Sequence, residues 1–510
     1  MRSKVRSALC SLVVLFLVFA GLLAQTVVIY HTSDVHGWYV SRRSTLPDGS
    51  SRQIGGYAAL SALVKKEQNP YILLDSGDLY QGTPEGNFSK GMASIDLMNL
   101  LGYRAMALGN HEYDYGEENV RTLAGAARFP FLAANIRVAQ TDLAPDYVRP
   151  YTIIELGGRR LGILGLANST TPTQTLRSNV EGLEFQLEDP TAERLVPEIR
   201  KHGVDAVVLL AHGVVSDSLS VKRLKVSEDL GANIPKDLVA MARAIAGIDV
   251  ILGGHYHTGL DEGYRDPESG TLIVGSFHTL LAASRVQLDF DPETGRLKSA
   301  SSRLIDLDVS QTGEDPQVLE LLRPYEERVE RVMGEKIGEV AEDLDEAALA
   351  GFINEVMRTA AGADVAVQNP GGIRTQMHKG PVTLADVYRV MPFDNTLVTV
   401  ELTGSQIVEL LRQSPLYISG VQARWPDGQA RRAQVEVTMN GSPLDPNRIF
   451  RVATNNYLAY GASDILTGGG NKTDTRLIIR DLMVKAIKSS SPLQRPSPDC
   501  ITKLPVSAGH

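Results

Sequence analysis

Past residue 25 the chain alternates short, nearly continuous apolar runs with longer stretches in which apolar residues recur at helical spacing. Residues 27–32, 71–75, 105–108, 206–211 and 250–253 are rich in Val, Ile, Leu and Ala and end at turn-forming residues, a pattern that predicts buried strands. Residues 57–66, 94–101 and 117–126 are amphipathic and predict helices between them. Regular alternation of the two predicts an α/β fold. Further strands are expected at 159–167, 271–277 and 284–290, the last opening into the turn Asp291-Pro292-Glu293-Thr294-Gly295.

Residues 309–315 are polar and turn-rich, and a charged run at 316–332 follows with its apolar residues at helical spacing. A second α/β unit begins near 334, with strands expected at 364–368, 396–402, 434–439 and 450–454. A chain of 510 residues exceeds one ordinary core, so more than one domain is expected. The division is a leader at 1–24, a first domain at 25–310, a linker helix at 311–335, a second domain at 336–488 and a tail at 489–510. The tail is rich in Ser and Pro, and is either ordered by contact or disordered. No repeat of solenoid period is visible.

The leader has the pattern of a secretory signal. Arg2, Lys4 and Arg6 precede an apolar run at 12–23, and Ala24 offers a cleavage point before Gln25. That run is well short of the ~20 residues a spanning helix needs, and no later stretch reaches that length. Cleavage is the expectation, an uncleaved anchor the alternative. Losing the three cations would take the net charge from −9 to −12, which excludes a broad basic surface for a nucleic-acid polymer. Of the two cysteines, Cys10 lies in the leader and Cys500 near the end, which excludes an internal disulfide or a thiolate metal site in the mature chain. Export without disulfides is compatible with a bacterial periplasm or an extracellular location.

The candidate chemistry lies where the first five predicted strands end. The first runs into Asp34-Val35-His36 and the second ends in Asp75-Ser76-Gly77-Asp78. The third runs into Gly109-Asn110-His111-Glu112-Tyr113-Asp114, the fourth into His212-Gly213, and the fifth into Gly253-Gly254-His255-Tyr256-His257. Five strand ends thus deliver ligand-type residues to one edge of the expected sheet, and the carboxyl edge of an open α/β sheet is where ligands bind.

Imidazoles mixed with carboxylates and one Asn carbonyl suit Zn, Mn, Fe or Co. Asp34, His36, Asp78, Asn110, His212, His255 and His257 are more ligands than one ion needs. They suffice for two divalent ions, with a carboxylate such as Asp78 as the bridge. Two ions about 3.5–4 Å apart polarise a phosphoryl oxygen, activate water and clamp an in-line displacement. Each motif alone has a plainer reading, as a loop carboxylate or a solvated His pair; their order at successive strand ends is what points to a dimetal cage. His111 and Asp114 stand apart from it, spaced so that the carboxylate can orient the imidazole for stabilising charge or donating a proton. The plainer reading of His111 is a further ligand or a packing residue. Glu112, between them, is a candidate partner for a ligand.

These motifs in this order look like the calcineurin-like metallophosphoesterase superfamily, and nearly all of the mature chain resembles the 5′-nucleotidase family. That family includes periplasmic UDP-sugar hydrolases and 2′,3′-cyclic-nucleotide phosphodiesterases. The resemblance implies a four-layer α/β/β/α sandwich followed by a smaller α/β substrate-binding domain. It implies one metal on Asp34, His36, Asp78 and His257, a second on Asp78, Asn110, His212 and His255, and His111 with Asp114 as the catalytic pair. In the second half, Asn369-Pro370-Gly371-Gly372-Ile373-Arg374 resembles the family's substrate loop, which implies substrate binding by Asn369, Gly371, Gly372 and Arg374, the glycines letting the backbone approach the ligand and Arg374 meeting phosphate or ribose. Pro392-Phe393-Asp394-Asn395-Thr396 is also family-like, with Asn395 a candidate substrate contact. Family nucleotidases hold the base between two aromatic rings. Tyr457 sits where one is expected; the other position falls on Pro415, with Tyr417 as a shifted substitute. Gly461-Ala462-Ser463-Asp464 departs from the family's Gly-Gly-Asp at the same pocket.

The expected activity is hydrolysis of a small-molecule nucleotide or related phosphate ester. Hydrolysis of UDP-sugars or other nucleoside diphosphates, and of 2′,3′-cyclic nucleotides, are the alternatives within the enzyme class. A non-catalytic nucleotide-binding surface protein is the distant alternative outside it.

Overall fold

A computed structural model describes residues 25–45, 51–213, 222–224, 236–413, 416–424 and 435–496. The expected leader, Pro415 and both cysteines lie outside the described residues. The chain forms two compact units, each taken by itself below.

The first unit comprises residues 1–79, 94–171 and 180–321, and is built on two sheets. Thr26–Thr32, Tyr71–Asp75 and Tyr103–Ala107 run parallel in a seven-stranded sheet, with Ile29 opposite Ile72. The antiparallel strands Ala282–Phe290 and Leu297–Asp306 extend it on one side, Phe131–Leu132 and Val148–Arg149 on the other. Arg159–Leu166, Ala206–Ala211, Val250–Gly253 and Leu272–Gly275 run parallel in a six-stranded sheet edged by antiparallel strands.

Side-chain alternation along each strand puts one set of apolar residues on each face. Ile29, Ile72, Leu74 and Ala107 of the first sheet share one buried cluster with Ile163, Val208, Leu210 and Leu252 of the second. On the other face of the six-stranded sheet, Leu164, Val207, Leu209 and Ile251 pack with Leu195 and Ile199 of the helix Glu188–Lys201 and Met241 of Lys236–Ala244. Strands covered on both faces need apolar residues at every position, which is why residues 206–211 read as a continuous run.

One expectation changes here. The five strand ends do not share a sheet edge: the first three belong to the seven-stranded sheet, the fourth and fifth to the six-stranded one. Fully buried parallel strands look alike in sequence whichever sheet they join, so periodicity alone could not divide them.

The second unit comprises residues 322–510 together with Tyr80–Ala93 and Pro172–Asn179, short segments that a continuous division assigns to the first. Its five-stranded sheet runs in the order Tyr417–Ser419, Val365–Gln368, Ile449–Asn455, Thr396–Thr403 and Gly470–Ile478. The helix Glu346–Ala361 lies among the residues buried on one face, and Gly404–Gln413 among those on the other. The strand expected at 434–439 is observed as Glu436–Met439, in a separate three-stranded sheet. The charged helix is observed as Pro316–Met333, its residues to Leu321 grouping with the first unit and the rest with the second. Part of the expected tail is held in place: Leu493 is buried, its N–H donates to Glu339 and its carbonyl accepts from Ala341.

Candidate metal centre and catalytic pair

The expected ligands gather at the carboxyl ends of both sheets. Asp34, His36 and His257 offer ligand atoms within 4.8 Å of one another, and so do Asp78, His212 and His255. Asp78 Oδ2 lies 3.1 Å from His212 Nε2 and 4.0 Å from His36 Nε2, so one carboxylate oxygen faces imidazoles of both clusters. His36 Nε2 is 2.9 Å from His257 Nε2, and His257 Nε2 is 3.6 Å from Asp34 Oδ1. His255 donates its backbone N–H to Asp34, at 2.9 Å from Oδ1 and 3.0 Å from Oδ2.

The turns that present these residues are conformationally costly. Asp34, His36, Asp78, His255 and His257 all have left-handed backbone, with φ from 50° to 75°. Asp and His enter that region more readily than most side chains but still at a cost that Gly escapes, and such strain persists where the surroundings over-determine it, commonly at functional sites. Gly109 is required by close approach: a Cβ there would lie 2.2 Å from Asp78 Oδ1 and 2.8 Å from His212 Cε1.

Among the described residues, one buried atom of the cage, Asn110 Oδ1, has no hydrogen-bond partner, while His212 Nε2 is met only by the Asp78 carboxylate at 3.1 Å. Buried polar atoms are rarely left so, and each asks for a partner. A cation is the partner this donor set fits, since an amide oxygen is a lone-pair donor and stands here among imidazoles and carboxylates. His212 Nδ1 donates to the carbonyl of Ser76 at 2.6 Å, which fixes the ring and turns Nε2 inward.

Charge supports the same reading. Burial pushes the Asp34 carboxyl up, and the nearby charge of Asp78 adds to this while His212 opposes it. Burial also works against ionisation of Asp78, yet His212, His111 and His36 outweigh it and hold this carboxyl well below the usual range. Burial likewise opposes charge on His212, but Asp78 and Asp34 push it up to about 10. A buried cage in which carboxylates must borrow protons from their own histidines is one that divalent cations would neutralise.

His111 Nδ1 donates to Asp114 Oδ2 at 2.7 Å, and the His111 backbone N–H donates to Asp78 Oδ1 at 2.9 Å. The pair is therefore tied to the cage while its ring stands edge-on to His36, centroids 5.3 Å apart. His111 also falls in a third potential ligand group with His36 and Asp78.

Glu112 partners a candidate ligand, as expected, through the backbone rather than the side chain. Its buried carboxylate accepts the backbone N–H groups of Asp78 at 3.0 Å, Leu79 at 2.8 Å and Gly109 at 2.6 Å, and so holds two ligand-bearing turns together. Residues that sequence reasoning missed add to this frame. Fully buried Asp75 accepts from Thr32 Oγ1 at 2.6 Å and from the Gly77 N–H at 2.7 Å, closing the turn before Asp78. His31 Nε2 meets Ser76 Oγ at 2.9 Å, and burial pushes its imidazole down to about 3, so it stays neutral. The ring of His278 stacks on that of His257, centroids 4.9 Å apart and planes 7° off parallel.

In the second unit, Asn369 Oδ1 accepts from Asn455 Nδ2 at 2.9 Å, and Arg374 Nη1 donates to the Gly371 carbonyl at 3.4 Å. The Arg374 guanidinium lies 5.9 Å from the Phe393 ring centroid, which brings the two family-like motifs together. Gly372 has no room for a side chain, a Cβ falling 2.1 Å from Gln368 Nε2. The Asn395 carbonyl accepts from the Ile479 N–H at 2.9 Å. Tyr457 is half-buried against the core. Tyr417 is only 2% exposed, lies within the core, and donates its hydroxyl to Glu346 Oε1 at 2.8 Å. A nucleobase could stack on that ring only if this packing opened.

Residues 27–259 match the calcineurin-like phosphoesterase family model, and residues 331–467 that of the 5′-nucleotidase C-terminal domain. The chain is 28% identical to protein UshA of Yersinia enterocolitica over 92% of each. It is also 28% identical to the trifunctional nucleotide phosphoesterase protein YfkN of Bacillus subtilis over 83% of this chain, but spans about a third of that protein's length (32%). The solved structure of a 5′-nucleotidase precursor from Thermus thermophilus superposes with a TM-score of 0.78 at 28% identity, covering 91% of this chain and 96% of the other. Two family models in this order, relatives along most of the chain and a cage of metal-ligand residues identify a metal-dependent phosphoric ester hydrolase. The chain carries a calcineurin-like phosphoesterase domain followed by a 5′-nucleotidase C-terminal domain, and is similar along most of its length to 5′-nucleotidases.

Proposed function

We propose that the protein is an exported 5′-nucleotidase that uses two divalent cations to release phosphate from nucleotides. The observation that carries this reading is the position of Asp78, one oxygen of which faces His36 of one ligand cluster and His212 of the other. One cation would be held by Asp34, His36, Asp78 and His257, the other by Asp78, Asn110, His212 and His255. When bound, such a pair supplies Lewis-acid polarisation of a phosphoryl oxygen and activation of water. Asp114 takes Nδ1 of His111, so a hydrogen bond to the oxygen that gains charge in the transition state is made from Nε2. Arg374 is the candidate phosphate contact, in a loop shaped by Asn369, Gly371 and Gly372. Asn395 and Tyr457 are candidates for the organic part.

The leader pattern supports export to a bacterial periplasm or the cell exterior. Among the described residues no helix is long and apolar enough to cross a membrane. Identification of Gln25 as the first residue of the secreted protein would support cleavage; a retained Met1 would contradict it.

Substrate class is tested by chromatographic identification of the products, with phosphate release in parallel, from AMP, ATP, UDP-glucose, 2′,3′-cyclic AMP and an aryl phosphate, with Mn, Zn, Co or Ca supplied separately. Turnover of AMP above the others is expected. Preference for UDP-glucose or the cyclic nucleotide would instead establish the diphosphate or phosphodiester alternative.

A further inference from the structure

We propose that Arg42 and His278 are positioning residues for the Asp34/His36/His257 cluster, acting through the loop at residues 277–280. The inference rests on the two-cation reading above and adds to it a device that controls one of the two positions.

Phe277, Thr279 and Leu280 have φ of 72°, 48° and 51°, so three of four consecutive residues hold left-handed backbone without a glycine among them. Such a segment relaxes unless its surroundings hold it. Several contacts do so, four of them at Thr279 and Leu280. The Thr279 N–H donates to the Asp34 carbonyl at 2.7 Å, and the Gly56 N–H donates to the Leu280 carbonyl at 3.2 Å. Arg42 grips Thr279 at two points, Nη1 on its carbonyl at 3.1 Å and Nη2 on Oγ1 at 2.6 Å. The Arg42 guanidinium is itself seated 4.0 Å from the Trp38 ring centroid, two residues beyond His36. Burial pulls Arg42 down to about 9, which leaves it cationic at neutral pH.

The loop reaches two ligands of one cluster. Its Thr279 N–H fixes the backbone of Asp34. His278 lies flat on the His257 ring and is braced by the Phe277 ring, centroids 4.5 Å apart and planes at 71°. Stacking fixes the plane of His257, and hence the direction of the Nε2 lone pair toward His36 and Asp34. The Nδ1 hydrogen bond of His212, by contrast, goes to the turn at Ser76, outside residues 277–280. Loosening the loop therefore acts directly on one cluster, and reaches the other only through the His255 N–H held by Asp34.

The test is cation binding to the full-length mature chain, with Mn(II) as the probe. Stoichiometry is read by elemental analysis, and the exchange-coupled signal of a Mn pair by EPR. Wild type should hold two ions and give the coupled signal. Arg42→Gln and His278→Ala should each hold one ion at a concentration that saturates wild type, lose the coupled signal, and show at least a tenfold weaker second binding step. The melting temperature of the metal-free protein should stay near that of wild type. His278→Phe, which keeps a ring for stacking and removes the ring nitrogens, should restore the pair.

Variants that keep two ions at wild-type affinity overturn the proposal alone. So does a fall in metal-free melting temperature with both ions lost together, since that marks a general structural role. Failure of His278→Phe to rescue would overturn stacking as the cause. A wild-type chain holding one ion overturns the two-cation reading, and this proposal with it.

Discussion

Glu112 and His111 are neighbours with opposite duties, and substitution should separate them. Glu112 accepts three backbone N–H groups, so its effect is on the shape of the Asp78 and Asn110 turns. Glu112→Gln replaces one acceptor oxygen by an NH2 that faces those donors. It should lower stability by about 1–3 kcal/mol, measured by urea unfolding of the metal-free protein, and weaken metal binding as well. His111→Ala should leave the metal content unchanged and lower kcat on the order of 10²- to 10⁴-fold, measured in the metal-saturated enzyme. Loss of metal together with rate would instead make His111 a ligand. Both residues were legible in the sequence because they adjoin a strand end and Asn110, a candidate ligand. Arg42, Thr279 and His278 were not: Arg42 and Thr279 lie 237 positions apart, and no local pattern joins them.

Among the elements, the apolar runs at 71–75, 206–211 and 250–253 matched the observed strands to the residue, because parallel strands buried on both faces leave an unbroken signature. Their distribution between two sheets was hidden for the same reason. The tight turns after them are where sequence and structure agree most usefully. A turn that must bring Asp78 and His212 against one backbone atom needs glycine, and Gly109 occupies that point. Gly109→Ala should therefore fold and yet bind metal poorly, since the added Cβ meets the Asp78 carboxylate rather than core packing. Circular dichroism close to wild type with reduced metal content is the expected result; full metal content would show that the turn can shift aside. In the second unit the family-like motifs were readable but ring exposure was not. Tyr417 lies two residues beyond a missing aromatic, and its burial beside Glu346 follows from the strand Tyr417–Ser419 facing the helix Glu346–Ala361. A single sequence gives the residue and not the side on which its ring lies.

For the whole molecule, two α/β units and their order could be read from alternating apolar runs, a charged helix and two sets of motifs. The inclusion of Tyr80–Ala93 and Pro172–Asn179 in the second unit could not, since that grouping depends on contacts far along the chain. The molecule's chemistry converges on Asp78, which starts from a first-sheet strand end, takes the His111 backbone N–H on one oxygen and faces His212 with the other. The most direct measurement is the number of divalent cations bound per chain, with phosphate release in parallel, for wild type and Asp78→Asn. Two cations in wild type, with at most one and a rate lowered by several orders of magnitude in the variant, is the predicted result. One cation in wild type, or two with an undiminished rate in Asp78→Asn, would contradict a shared carboxylate at the centre of the site.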